Sequence, residues 1–305
     1  MSSFDSTLTL PTPCQLLEHS TLFGRPVWVK RDDLVHPVVS GNKYRKLKYP
    51  ILNITQTSRQ AGHIPHLVTM GGLWSNHVHA TAYAAQALGW QSLALIRAHE
   101  GMHSAMLDDC RERGMQIQFV DRVNYRSLRA DPMHWHTLIA PGLEQYWLPE
   151  GGSDPAALPG VAELIDELPF IPDVVLVACG TAATLAGLLA GLKGRSLVIG
   201  IAVLQDAGYL RGEVSRLLEQ AGYPDYQNYV LHTDFHHGGY AKVSPELRQF
   251  CNEFMAQWRM PVEPVYTGKV FFALKSLIQS GAIHPDQSVM VLHTGGLQGA
   301  RGLPI

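Results

Sequence analysis

Charge is scarce in this chain. Asp, Glu, Lys and Arg make up 16% of 305 residues, against roughly a quarter in a typical soluble protein. With 46% hydrophobic residues, much of the chain has to be buried, which excludes disorder: a disordered chain needs low hydrophobicity and high net charge. The formal net charge is -2 and no long run carries one sign, so nothing marks a nucleic-acid or anionic-membrane partner. Cysteine is also rare. Cys14, Cys110, Cys179 and Cys251 lie far apart, which excludes a CxxC pair, a zinc knuckle and a short disulfide framework and favours isolated reduced thiols. The N-terminal stretch lacks the basic segment and apolar core of a secretory leader. No internal repeat is visible. One uncharged stretch, Val174 to Leu192, is long enough to span a bilayer, but a Gly-Thr-Ala-Ala-Thr turn breaks it, so it reads as a buried strand, a turn and a small-residue helix.

What the sequence does have is alternation. His66–Met70, Ser92–Arg97, Met115–Val120, Val174–Ala178, Leu197–Val203, Tyr229–His232 and Val289–His293 read as strands, with Val27–Lys30 ahead of them. Helical patterns separate them at Asn76–Leu88, Met102–Gly114, Ala182–Leu192, Arg211–Gly222, Glu246–Arg259 and Lys269–Ser280. This order predicts an α/β architecture with parallel sheets covered on both faces. Ligands of such sheets bind where a strand's carboxyl end turns into a helix, which directs attention to four turns.

The turn Cys179-Gly-Thr-Ala-Ala-Thr184 follows the most apolar strand and opens a helix. Its backbone N–H groups and threonine hydroxyls could hold a phosphate, although the pattern is neither a Walker A loop nor GxGxxG, and an ordinary strand–helix connection is the simpler reading. Cys179 reads as a small packing residue. Ser40-Gly-Asn-Lys43 leads into a segment with Lys43, Arg45, Lys46 and Lys48. Lys46 and Lys48 read as a solvated basic face. Lys43, in the first helical turn beside other cations, is a candidate neutral-amine nucleophile. Gly71-Gly-Leu-Trp-Ser-Asn-His77 could grip a carboxylate, but Ser75 or Asn76 at a helix start is commonly only a cap. The fourth turn is His293-Thr-Gly-Gly296. Among the 15 histidines, His77-Val-His79, His134-Trp-His136 and His236-His237 could evoke a metal, but on a helix an i, i+2 pair diverges and no carboxylate completes a set. No metal is expected, and the histidines read as surface or polar-network residues. Arg31-Asp-Asp33 reads as ordering the loop before Lys43.

Gly-Asn-Lys, Gly-Gly-x-x-Ser-Asn-His, Pro-Glu-Gly-Gly-Ser at 149–153, Cys-Gly-Thr-x-x-Thr, Pro-Val-Tyr-Thr-Gly-Lys at 264–269 and His-Thr-Gly-Gly occur in this order. In this the chain resembles the pyridoxal-phosphate enzymes of fold type II, the tryptophan synthase β-like fold, and within them the group of 1-aminocyclopropane-1-carboxylate deaminase and D-cysteine desulfhydrase. The resemblance runs from about Leu10 to Gly302. It implies two three-layer αβα domains, a large one from 1–43 and 153–305 and a small inserted one over 44–152, with pyridoxal 5'-phosphate between them. It implies Lys43 as the lysine that carries the cofactor as a Schiff base and Asn76 at the phenolic oxygen. Gly180, Thr181, Ala182, Ala183 and Thr184 would hold the phosphate. Thr267 would lie at the pyridine nitrogen. Ser75, Asn76 and His77 would face the substrate, and Tyr240 and Tyr266 would flank the reacting carbon. Lys43, Ser75 or Tyr266 could take the α-proton. A homodimer follows by the same resemblance; the cytoplasmic location is expected from the isolated reduced thiols.

The deaminase pattern carries an acid at the position of Thr267. A hydroxyl holds a proton on the pyridine nitrogen less firmly, which suits elimination of a thiolate better than opening of a cyclopropane. The expectation is therefore D-cysteine desulfhydrase-like β-elimination from a small amino acid to pyruvate, ammonia and sulfide. The alternatives are deamination of 1-aminocyclopropane-1-carboxylate to 2-oxobutanoate and a non-catalytic pyridoxal-phosphate-binding protein. Several residues depart from the family pattern: Trp74 and His79, Ala182-Ala183 in place of glycines, and the C-terminal Leu297-Gln-Gly-Ala-Arg-Gly302.

Overall fold

The computed structural model describes residues 7–18, 21–39, 41–140, 142 and 144–303; Ser40, at the head of the first turn singled out above, lies outside them. Along the described chain run β1 (Cys14–Leu17), β2 (Val27–Lys30), α1 (Asn42–Ala61), β3 (His66–Gly72), α2 (Asn76–Leu88), β4 (Gln91–Arg97), α3 (Ala105–Glu112), β5 (Gln116–Val120), α4 (Arg122–Ala130) and β6 (Gln145–Leu148). There follow α5 (Leu158–Ala162), β7 (Val174–Cys179), α6 (Ala183–Leu192), β8 (Leu197–Ala202), α7 (Leu210–Gln220), β9 (Tyr229–His232), α8 (Pro245–Trp258), α9 (Thr267–Gln279) and β10 (Val289–Leu292). No helix among the described residues is long and apolar enough to cross a membrane.

The strands form two sheets, β1-β2-β10-β7-β8-β9 and β5-β4-β3-β6. Pairing is parallel throughout except between β1 and β2, a departure from the all-parallel expectation. The central strand β7 is buried at every position, because α5, α6 and α7 cover one face and α8 and α9 the other. Each such Val or Leu contributes about 1.5–3 kcal/mol. The small residues of α6 have a packing reason: a Cβ on Gly187 would lie 2.4 Å from Val161 Cβ, so α5 can only approach over a glycine.

The carboxyl ends of β2, β7 and β10 deliver the Gly-Asn-Lys, Gly-Thr and His-Thr-Gly-Gly turns, while β3 and β4 of the second sheet deliver Gly71–Ser75 and Arg97. Positions far apart in sequence therefore meet at one cavity. Helix α1 is tied down behind it by a buried ionic cluster. Arg45 Nη2 donates to Asp32 Oδ1 at 2.8 Å and Arg45 Nη1 to Glu167 Oε1 at 2.6 Å, while Lys30 Nζ donates to Glu167 Oε2 at 2.7 Å. Asp32 also accepts the Gly41 N–H on its carbonyl, and Asp33 pairs with Arg31. The Arg-Asp-Asp segment does order the approach to Lys43, through Arg45.

Candidate active site

A cavity of about 350 Å³ lies where the two sheets face each other. Lys43, Ser75, Asn76 and His77 line it, as do Gly180, Thr181, Thr184, Tyr240 and Tyr266. Ala182 and Ala183 are buried at the start of α6. Thr267 stands apart. Its side chain is buried in the first turn of α9 and its hydroxyl bonds to Glu263 Oε1 at 3.1 Å, and it does not line the cavity. Thr294, in the His-Thr-Gly-Gly turn after β10, does line it, though no role attaches to its hydroxyl from the sequence.

Lys43 sits in the first turn of α1. Burial lowers its ammonium to about 8, against a hydrogen bond with Lys46 that favours the charge. Lys46, one helical turn on, corrects the expectation of a solvated face. It is 1% exposed, its Nζ lies 3.5 Å from Thr181 Oγ1, and burial and the charge of Lys43 push it well below the ordinary lysine value. Its neighbour in the expected solvated pair, Lys48, is half-buried and bonded to Glu163. Lys269 is also lowered to about 8 by burial, but its Nζ donates to the carbonyls of Val203, His236 and Gly239 and it does not line the cavity. Three carbonyl acceptors make Lys269 structural, which leaves Lys43 and Lys46 as the amines on the cavity wall, with Lys46 turned to Thr181.

The turn after β7 is built to receive an anion. Helix α6 has no side-chain cap, a feature it shares with α1, α5 and α7 but not with α2, α3, α4 and α8, and its start lines the cavity at Gly180, Thr181 and Thr184. Its first N–H groups remain available to an anion, favoured further by the helix dipole. Asn42 Nδ2 donates to Thr184 Oγ1 at 2.9 Å and orients that hydroxyl. Cys179 is buried with its thiol pushed up to about 12 by burial, and so packs.

On the opposite wall, Ser75 Oγ accepts the Val78 N–H at 3.3 Å, so Ser75 both caps α2 and faces the cavity. Asn76 Oδ1 accepts from Gln298 Nε2 at 2.5 Å, which leaves its Nδ2 as the group it can offer. His77 departs from the polar-network expectation: it is 1% exposed, neither ring nitrogen has a hydrogen-bond partner, and burial with Lys43 and Lys46 nearby holds it neutral. His79 conforms to it, bonding Asp109 at 3.0 Å. No cluster able to hold a metal occurs among the described residues. Tyr240 and Tyr266 meet at their hydroxyls, 3.4 Å apart, and burial raises both phenols, Tyr266 well above 10. Both are therefore neutral donors. Further lining residues carry no sequence signature: Arg97, and Arg129 and Tyr125, which hold Glu150 at 2.6 and 2.5 Å.

A model described as pyridoxal-phosphate dependent enzyme matches residues 6–295. The chain belongs to this family. It is 31% identical over 306 residues to a protein of Thermotoga maritima named putative 1-aminocyclopropane-1-carboxylate deaminase, covering 95% of each chain. To a D-cysteine desulfhydrase of Salmonella newport it is 27% identical, over 94% of this chain and 92% of that protein. A crystal structure of an ACC deaminase homologue superposes with a TM-score of 0.81 at 27% identity, covering 96% of this chain and 92% of that one. The protein is thus a pyridoxal-phosphate enzyme of fold type II, of the lyase and deaminase group. Its cavity fits the cofactor on its own evidence. Lys46 is buried and Lys43 half-buried, neither has a carboxylate partner, the uncapped start of α6 lines the same cavity, and the one carboxylate among the described lining residues, Glu150, is already held by Arg129 and Tyr125. A dianionic phosphate and an aldehyde supply what this site lacks.

Proposed function

We propose that the enzyme catalyses β-elimination from a small amino acid, D-cysteine in the leading reading, giving sulfide, pyruvate and ammonia. The observation that carries this reading is the absence of an unpaired acid from the described cavity wall. Glu263 lies behind the first turn of α9, where it accepts the N–H groups of Val265, Tyr266 and Thr267. A ring nitrogen in the cavity would meet the Thr294 hydroxyl in place of a carboxylate, and Thr267 would act only by fixing Glu263. The weaker electron sink that results suffices for a departing sulfide. The names of relatives such as the Thermotoga protein keep deamination of 1-aminocyclopropane-1-carboxylate as the second reading.

Pyridoxal phosphate, when bound, supplies the sink for the electron pair left as the α-proton departs. Lys43 would hold its aldehyde, Asn76 Nδ2 its phenolic oxygen, and the N–H groups of residues 180–184 with the Thr184 hydroxyl and Lys46 its phosphate. Ser75 Oγ and the N–H groups of Asn76 and His77 would orient the substrate carboxylate. Neutral His77 lines that wall without adding charge. Lys43 Nζ, lowered to about 8, has a neutral fraction near physiological pH and would take the α-proton. Tyr266 and Tyr240, held as neutral phenols, would return a proton to the leaving sulfur. We carry with this reading the division into 1–43 with 153–305 and 44–152, a homodimer and a cytoplasmic location. Pyruvate release from D-cysteine, set against 2-oxobutanoate release from 1-aminocyclopropane-1-carboxylate, tests it; turnover of the cyclopropane alone reverses the choice.

A further inference from the structure

A second cavity, of about 220 Å³, opens beside the first. Gly72, Arg97, Tyr240 and Tyr266 line both. Its own walls are Leu73, Trp74, Val265 and Leu303, with Ala241 and glycines of the C-terminal turn. Two features of this chain that depart from the family pattern, Trp74 and the C-terminal segment, come together here. A Cβ on Gly302 would lie 2.3 Å from the Trp74 ring, so the 3-10 turn Leu297–Gly302 packs on the indole over a glycine. Tyr240 and Tyr266, whose hydroxyls lie 3.4 Å apart, are walls shared by the two spaces. A sulfhydryl needs about the room of one water, roughly 30 Å³, and this side pocket is several times larger, apolar on its far walls and cationic at its mouth through Arg97.

We infer that the side pocket receives an apolar substituent on the substrate's β-sulfur, so that the enzyme accepts S-alkyl or S-aryl cysteines. The inference rests on the β-elimination proposed above and deepens it. The net reaction balances as R–S–CH2–CH(NH3+)–COO− plus water giving R–SH, pyruvate and ammonium. The Cα–H and Cβ–S bonds break, the sulfur leaves with the electron pair and is protonated to the thiol, and no external oxidant or reductant is required. Arg97, exposed and without a carboxylate partner among the described residues, would steady the thiolate as it forms.

The test compares kcat/KM for S-benzyl-D-cysteine and S-ethyl-D-cysteine with that for D-cysteine in three holoenzymes: native, Leu303→Trp, which fills the pocket, and Leu303→Ala, which widens it. Leu303 ends the packed segment, so neither change touches the core. The ratio of S-benzyl to unsubstituted substrate is expected to fall by about tenfold or more in Leu303→Trp and to rise in Leu303→Ala, with D-cysteine turnover kept in both. Binding is read separately as quenching of the emission of Trp74, taken as native minus Trp74→Phe protein on addition of S-benzyl-D-cysteine. A ratio unmoved by both Leu303 variants, with no quenching, overturns the inference while D-cysteine turnover leaves the function standing. If D-cysteine itself is not turned over, the proposed function falls, and the quenching alone decides whether the pocket takes the substituent.

Discussion

Lys46 Nζ lies 3.5 Å from Thr181 Oγ1, and the charge that acts on it most is that of another cation, Lys43. A buried ammonium without an anion costs stability, and here the cost is offset only when a phosphate arrives. Lys46→Met should therefore act in opposite directions. The apoprotein should melt at a higher temperature, while cofactor affinity falls by about tenfold or more, the worth of one charge-assisted hydrogen bond. Thermal melts of the apoprotein with and without titrated pyridoxal phosphate measure both.

The lowered Lys43 ammonium gives a pH prediction. Below about pH 8 the amine is protonated and cannot attack an aldehyde. The rate of cofactor attachment to apoprotein should rise through about pH 8 and level off, and an inflection at the ordinary lysine value of 10.5 would contradict the placement. The stability sign agrees. The unfolded chain holds this proton up to about 10.5 and the folded chain only to about 8, so this group's penalty on the native state fades as pH rises between the two.

Arg45 makes a fork onto Asp32 and Glu167 two residues beyond Lys43. Arg45→Met strands the fully buried Asp32 and leaves Glu167 to Lys30 alone, and should cost about 3–5 kcal/mol in chemical denaturation. Burial alone would raise Glu167, but Arg45 and Lys30 outweigh it and bring it down to about 2. Its contribution is thus present above 4.5 and lost as pH falls toward 2. Glu167→Gln should flatten that part of the acid denaturation curve.

Gly41 carries φ of +60° and approaches the Thr294 carbonyl so closely that a Cβ would sit 1.8 Å from its oxygen. Gly41→Ala combines backbone strain of about 1–3 kcal/mol with that clash. The start of α1 and the turn after β10 must then separate, which moves Lys43. Loss of the cofactor's visible absorption from a protein that keeps its far-ultraviolet dichroism is the expected outcome.

Much of this site is legible in the sequence because its turns carry their own chemistry. Glycines at 41, 180 and 296 mark close approaches, and each is followed by or packed against a residue that lines the cavity. The long apolar runs of β7 and β8 and the Ala-rich α2 keep their expected places within a residue or two. What escapes is set by distant partners. Lys46 reads as solvated because its burial depends on Thr181, 135 positions away. Strands β1 and β6 are four residues each and show no clear alternation. Helix α1 runs through Pro50, which hides its length. Thr267 is in the motif yet faces inward, because Glu263 claims the first turn of α9. Nothing local signals that Trp74 will meet Gly302.

The central claim is that Lys43, and neither Lys46 nor Lys269, forms the bond to the cofactor. Borohydride reduction of the holoprotein followed by peptide mass spectrometry tests it most directly. A pyridoxyl tag on the peptide spanning Lys43, with none on Lys46 or Lys269, is the predicted result; a tag on either of those, or no tag, contradicts the account.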